Sequence, residues 1–154
     1  ETVTAGLEAM MNRQSDKTTA LYCRLASFTE ADILTAKNQM DRLAAYAAEN
    51  GLQNPEFFCD WGFSGTNTER PEYQRMLHEV EAGRVNNLVV VSLCRLGRDY
   101  MAIYELMEHT LPLHHVTLHS IKDNLPQQKP DGKMAAIYEA LHTSFFKERK
   151  GGRK

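Results

Sequence analysis

The sequence lacks several features that would assign it to a membrane or secreted class. No apolar run reaches about 18 residues, so no membrane-spanning helix is predicted. The N-terminal stretch ETVTAGLEAMMNRQSDK has no apolar centre of the signal-peptide kind. The three cysteines, Cys23, Cys59 and Cys94, stand singly, which fits a reducing cytoplasm better than a disulfide framework. There is no internal repeat, and 154 residues favour one domain.

The net charge of the chain is also close to zero. Eighteen Lys and Arg against 20 Asp and Glu give a net charge of −2, which does not predict nucleic-acid binding by itself. The last eight residues, KERKGGRK, carry five basic side chains and one acidic one. Such an end is usually solvated, but it can also contact a polyanion.

What the sequence does have is an alternation of strand-like and helix-like segments, repeated four times. Strands are predicted at 18–25, 56–59, 87–93 and 114–121, and helices at 31–50, 71–82, 98–110 and 134–150. The run NLVVVSL is typical of a strand buried on both faces. This order predicts an α/β fold with a mostly parallel central sheet flanked by helices.

Polar residues collect where the predicted strands end, and active sites of parallel sheets lie at those carboxyl ends. The candidates are Arg24, Ala26 and Ser27 after the first strand, Asp60, Ser64 and Arg70 after the second, and Ser92, Cys94, Arg95 and Arg98 after the third. Arginine offers a planar fork of donors that matches phosphate oxygens. Converging arginines repel one another, so convergence would indicate an anion site. The alternative is that they point apart on the surface, with Arg24 exposed at a strand end.

Four segments, YCRLAS, NQMDRLAAYAAENG, CDWGFSGTNTERPEYQRML and VVVSLCRLGRD, resemble the ordered motifs of the serine recombinases, the resolvase/invertase group. The spacing most resembles the large members found in phages and conjugative transposons. The resemblance implies residues 18–130 as a resolvase-like catalytic domain, after a polar N-terminal extension at 1–17. It also implies a long C-terminal oligomerisation helix and basic end at 131–154, with DNA-binding domains absent.

The resemblance also implies an activity. Members of the family cut and rejoin DNA through a covalent 5′-phosphoserine, without metal or nucleotide cofactor, as homodimers that assemble into a tetramer on DNA. By this resemblance Arg24, Arg70, Arg95 and Arg98 match active-site arginines, and Gln39 matches a motif glutamine. Asp60 matches an acidic position that supports the site, and Ser64 and Cys94 lie beside it.

The sequence departs from the family pattern at the nucleophile. Counting from Tyr22 places Ala26 where the motif has serine, and a methyl group cannot attack phosphorus. Three explanations stay open: an introduced inactivating change, a natural relative without catalytic activity, or a role taken over by Ser27. A shift of one residue along a strand turns a side chain to the opposite face, so Ser27 could serve only beyond the strand end.

Two other constellations have ordinary explanations. His109, His114, His115 and His119 suggest a metal site, but the sequence has no CxxC or HExxH spacing, so we expect none. Trp61 and Phe63 could contact DNA, although such residues more often anchor a loop to the core.

Two other functions compete with a recombinase enzyme. A non-catalytic assembly or regulatory subunit would keep the fold and lack the nucleophile, so the Ala26–Ser27 pair discriminates between the two. A receiver- or flavodoxin-type module would need an acidic pocket or a phosphate loop after the first strand, and neither is visible.

Overall fold

The computed structural model of the chain describes residues 16–64 and 69–123. Its strands are β1 (Thr18–Leu25), β2 (Pro55–Trp61), β3 (Val85–Val90) and β4 (Thr117–Ser120). Its helices are α1 (Ile33–Glu49), α2 (Pro71–Glu81) and α3 (Tyr100–Glu105). The α3 helix continues through a π-helical segment (Leu106–Thr110) into a last helical turn (Leu111–Leu113). Short 3₁₀ turns at Glu30–Asp32 and Leu93–Arg95 precede α1 and follow β3.

The four strands form one sheet in the order β2-β1-β3-β4, and every pairing is parallel. This confirms the predicted α/β architecture. The two long pairings differ in extent. β1 stays in register with β2 up to Leu25 and Trp61, whereas its pairing with β3 ends at Leu21 and Val89. The carboxyl ends of β1 and β3 therefore separate.

Several element boundaries differ from the predicted ones: β3, for example, runs from Val85 to Val90 instead of 87–93. Three of the differences have clear local reasons. β2 extends beyond residue 59 because Asp60 and Trp61 remain paired with β1. β4 begins at Thr117 instead of residue 114, after His115 takes a positive φ of 56° in a turn. The third helix begins at Tyr100 because Asp99 caps it, with the Asp99 carboxylate accepting from the Ala102 N–H.

The sheet packs on both faces, as the buried β3 run predicts. On one face Tyr22, Phe58, Met76 and Leu88 belong to a core that α2 and α3 cover. On the other face Leu21 and Cys23 of β1 pack with Leu43 and Ala47 of α1. Successive β1 side chains thus alternate between two cores, the period of two expected of a strand.

A hydrogen-bonded chain ties α1 to β3 and β4. The Tyr46 hydroxyl lies 3.1 Å from Nδ1 of His119, and His119 Nε2 lies 3.0 Å from Oδ1 of Asn87. The rings of Tyr46 and His119 also meet edge to face. Burial lowers the pKa of His119 below its ordinary value, which favours the neutral imidazole at neutral pH.

Within residues 16–64 and 69–123, no helix is long and apolar enough to cross a membrane. The predicted helix at 134–150 and almost all of the predicted extension at 1–17 lie outside the described residues.

The core assignment predicts unequal effects of two identical substitutions. Met76 is fully buried and Met101 is 72% exposed. Met76→Ala should lower the free energy of unfolding by roughly 2–5 kcal/mol, because it leaves a cavity. Met101→Ala should change it by less than about 0.5 kcal/mol. Chemical denaturation of both variants measures the difference, and equal midpoints would contradict the packing described.

His119 predicts a pH-dependent stability. Because its folded pKa lies below the ordinary value of about 6.5, the unfolded chain protonates first as the pH falls. The stabilisation is therefore present above pH 6.5 and is lost as the pH falls toward the folded pKa. Between pH 7.5 and 5.5 the natural chain should lose more stability than His119→Gln, as measured by urea unfolding. Parallel pH profiles would argue against the assignment.

Candidate functional site

Arg24, near the end of β1, is only 2% exposed, and its guanidinium bonds to carbonyl oxygens. Nε donates to the Arg95 carbonyl at 3.1 Å, Nη1 to that of Phe63 at 3.3 Å and Nη2 to that of Cys94 at 2.8 Å. The alternative of an exposed arginine at the strand end is therefore wrong. None of these acceptors carries a charge, so the positive charge of Arg24 is not neutralised by them.

Gln39 on α1 holds the backbone of Arg24. Its Oε1 accepts from the Arg24 N–H at 3.0 Å, and its Nε2 lies 3.5 Å from the Arg24 carbonyl. Nη1 of Arg95 donates to the same carbonyl at 3.2 Å. Because β3 has already separated from β1 here, these side chains satisfy backbone groups that a strand would otherwise bind.

Arg70 enters from the residue before α2 and is also buried. Its Nη1 donates to the Tyr22 hydroxyl at 2.9 Å, and its Nη2 donates to the Leu96 carbonyl at 2.6 Å. The guanidinium carbon lies 4.0 Å from the ring centroid of Tyr73, a cation–π contact. These contacts fix the plane of the guanidinium.

Asp60 connects β2, β1 and α2. Its carboxylate accepts from the Tyr22 hydroxyl at 2.8 Å and from the N–H groups of Glu72 and Tyr73 at 3.0 and 2.9 Å. Asp60 is 1% exposed, and it caps the first turn of α2 from a neighbouring strand. Burial raises the pKa of Tyr22 above its usual range, while the charge of Arg70 opposes that shift.

Arg24 and Arg70 meet at the Arg95 carbonyl, which lies 3.1 Å from Nε of Arg24 and 3.5 Å from Nη1 of Arg70. Burial lowers the pKa of Arg24, and the positive charges of Arg95, Arg70 and Arg98 lower it further. Arg95 is half-buried, and its Nε has no hydrogen-bond partner among the described residues. Arg98 is exposed at the rim. Side chains from three segments thus create a local excess of positive charge that favours an anion.

Ala26 and Ser27 follow β1 directly, and both are exposed. The Ser27 hydroxyl donates to Oδ2 of Asp32 at 3.2 Å. The same carboxylate oxygen accepts from the N–H and the hydroxyl of Thr29 at 2.8 and 2.9 Å. The hydrogen bonds from Thr29 and then Ser27 lower the pKa of Asp32. Ser27 therefore belongs to the capping network before α1.

The candidates Cys94 and Ser64 lie at or next to carbonyl groups that accept from Arg24. Sγ of Cys94 lies 3.0 Å from the Ser92 hydroxyl, and the Cys94 carbonyl is one of the acceptors of Arg24. Ser64 is exposed and directly follows Phe63, whose carbonyl also accepts from Arg24. The carbonyls of Cys94 and of Phe63, the residue before Ser64, are thus the parts of these two segments that contact Arg24.

Sequence reasoning missed two positioning residues. Tyr22 bridges Arg70 and Asp60, and it was detectable because it lies two residues before Arg24 on the same strand face. Asp123 follows β4, and its Oδ2 accepts from the Leu93 N–H and the Ser120 hydroxyl, each at 2.8 Å. It thereby holds the turn that carries Arg95. The carboxyl-end rule could have indicated Asp123.

The structure also describes the regions of the histidines and of Trp61. No group of three or more His, Cys, Asp or Glu able to hold a metal occurs among the described residues. Trp61 packs against the core on the α1 side and stacks on Phe28, with ring centroids 5.7 Å apart, so its anchoring role is confirmed.

Comparisons with known proteins agree with this geometry. Residues 19–152 match the family described as the resolvase N-terminal domain. The catalytic domain of TP901-1 integrase superposes with a TM-score of 0.68 at 26% identity, covering 87% of this chain and 98% of that one. A resolvase family site-specific recombinase from Streptococcus pneumoniae gives 0.63 at 20% identity, with 89% and 91% covered, and shares the fold. No curated protein matches significantly.

The chain therefore belongs to the resolvase family of serine recombinases, through the catalytic domain of that family. These enzymes transfer DNA strands and act as oligomers. The family assignment also excludes the receiver- or flavodoxin-type alternative.

The role of Asp60 predicts a large effect on stability. Asp60→Ala removes three hydrogen bonds and leaves buried donors unsatisfied, so it should cost roughly 2–4 kcal/mol. Asp99→Ala is the matched control, since Asp99 also caps a helix but is exposed. That change should cost about 1 kcal/mol. Denaturant unfolding distinguishes them, and equal losses would contradict the connecting role of Asp60.

Proposed function

We propose that the cluster of Arg24, Arg70, Arg95 and Arg98 binds the scissile phosphate of DNA in a site-specific recombination reaction. The observation that carries this proposal is the approach of three other arginines to the buried Arg24, whose bonds go to neutral carbonyls. A guanidinium has five N–H donors, and Arg24 uses three of them in bonds to the described residues, so two remain there for phosphate oxygens.

In the reaction a serine oxygen attacks phosphorus and the bond to the 3′ oxygen breaks. The protein becomes joined to the 5′ phosphate, and the 3′ oxygen leaves as a hydroxyl after taking a proton. The pentacovalent phosphorus carries extra negative charge, which preorganised guanidiniums stabilise. Since the ester keeps the energy of the broken bond, the reverse attack reseals the strand without an external energy source.

Each of the other supporting residues has a role in this proposal. Gln39 fixes the backbone of Arg24, Asp60 with Tyr22 fixes Arg70, and Asp123 fixes the turn bearing Arg95. Cys94 and Ser64 lie in the wall of the site and do not take part in the chemistry.

Ala26 stands at the nucleophile position in our proposal, and Ser27 does not replace it. Ser27 donates its hydroxyl to Asp32, and the depressed pKa of Asp32 makes that carboxylate a weak base. The chain in this form is therefore a recombinase catalytic domain without its attacking oxygen. Non-catalytic assembly or regulation is the second candidate, and Ala26 is the observation that favours it.

Membership of the resolvase family supports a proposal about assembly. Residues 18–130 are proposed as the catalytic domain, and 131–154 as a helix and basic end that contact a partner subunit and lead toward DNA. The assembly would be a homodimer that forms a tetramer on DNA, acting in the cytoplasm.

Restoring the serine tests the proposal. Ala26→Ser should form a covalent adduct with nicked, random-sequence DNA duplexes at low salt, where nonspecific binding is strongest. The unchanged chain should form at least about 10³-fold less, since removing a nucleophile costs orders of magnitude in rate. Denaturing gels with end-labelled DNA measure the adduct and show whether it is on the 5′ side.

The Ser27→Ala change separates the explanations. Adduct formation should persist in Ala26→Ser combined with Ser27→Ala. Adducts from the unchanged chain that disappear in Ser27→Ala would instead identify Ser27 as the nucleophile. Absence of adducts from a folded Ala26→Ser chain would favour the non-catalytic candidate.

A further inference from the structure

Cys23 and Cys59 are direct neighbours across the β1–β2 pair. They are Cα partners in the parallel ladder, and both lie on the face that α1 covers. Adjacent strands lie about 4.8 Å apart, which is within the range of about 4.4–6.8 Å that disulfide-bonded Cα atoms occupy. None of the three cysteines is in a disulfide.

The two thiols differ in exposure and acidity. Cys23 is fully buried, whereas Cys59 is partly accessible. Interaction with the neighbouring Cys23 thiol lowers the pKa of Cys59, and the same interaction together with burial raises the pKa of Cys23. Thiolate is the reactive form of cysteine. Cys59 is thus the thiol that an oxidant reaches, and Cys23 is positioned to resolve the product.

We propose that Cys23 and Cys59 are a modification site that forms a reversible intrachain disulfide with two-electron oxidants of the peroxide class. The Cys59 thiolate attacks one peroxide oxygen, which forms a sulfenic acid and releases hydroxide. The Cys23 sulfur then attacks the sulfenic sulfur, and water leaves with the Cys23 proton. In total two thiols and one hydrogen peroxide give one disulfide and two waters, and the peroxide gains the two electrons.

The ladder geometry makes this bond labile. Disulfide-bonded Cβ atoms lie about 3.5–4.5 Å apart, which is closer than the strand spacing, so the strands must approach locally. Strained disulfides are reduced more readily than relaxed ones and are typical of regulatory sites. The residues after these cysteines, Arg24 and Asp60, are also Cα partners, so the strain would fall on the arginine cluster. The disulfide itself does not depend on the proposed DNA chemistry.

The test is peroxide oxidation of the purified 154-residue chain, followed by alkylation of the remaining thiols in denaturant. Alkylatable thiols should fall from three to one, and a dithiol reductant should restore all three. Peptide mapping without reductant should detect the peptide that contains Cys23 linked to the peptide that contains Cys59. Cys94→Ser is the matched control, since the Cys94 thiol contacts the Ser92 hydroxyl. This variant should leave the cross-link between Cys23 and Cys59 unchanged.

Single variants establish the order of the steps. Cys23→Ser should leave a sulfenic acid on Cys59 that a 1,3-dione reagent labels, while Cys59→Ser should remain unlabelled at the buried Cys23. Circular dichroism before oxidation establishes that each variant is folded. The proposal is overturned if oxidation of the natural chain modifies Cys94 alone. It is also overturned if Cys23 and Cys59 join only after unfolding or only between two chains.

Discussion

The site depends on a buried guanidinium that keeps its charge. Arg24 lies inside the fold, and the carbonyls of Phe63, Cys94 and Arg95 replace the water it has lost. A carboxylate in the same place would have neutralised the group and competed with any phosphate. Neutral acceptors fix the side chain without cancelling its field, which is the arrangement that electrostatic catalysis requires. The loops that supply those carbonyls are therefore as much a part of the site as the arginines.

The acidic groups are kept at a distance for the same reason. Asp60 is buried near Arg70, but the Tyr22 hydroxyl lies between them. This hydroxyl accepts a hydrogen bond from Arg70 and donates one to Asp60. The Asp60 carboxylate also accepts hydrogen bonds from two N–H groups of α2. In this way the fold gains an anchored helix, and the arginine cluster retains its net positive charge.

The sequence was most informative where periodicity and strand order decide the outcome. The parallel sheet, its two cores and the meeting of Arg24, Arg70 and Arg95 at one edge all follow from the buried runs and the carboxyl-end rule. The start of β4 could not be predicted, because the positive φ of His115 and the pairing of Thr117 depend on the turn before the strand. The hydrogen bond between Ser27 and Asp32 could not be predicted either, because it depends on the 3₁₀ turn that precedes α1. The position of Tyr22 two residues before Arg24 was visible in the sequence, but its bridge between Arg70 and Asp60 depends on the folded positions of those two side chains.

The separation of β1 from β3 has a mechanical consequence. The first half of β1 is paired on both sides, whereas its last residues are paired only with β2. Where β3 is missing, the amide of Gln39 and the guanidinium of Arg95 complete the hydrogen bonding of Arg24. Side-chain hydrogen bonds can rearrange without breaking the β1–β2 ladder, so the carboxyl end of β1 is held on one side by strand pairing and on the other by side chains alone.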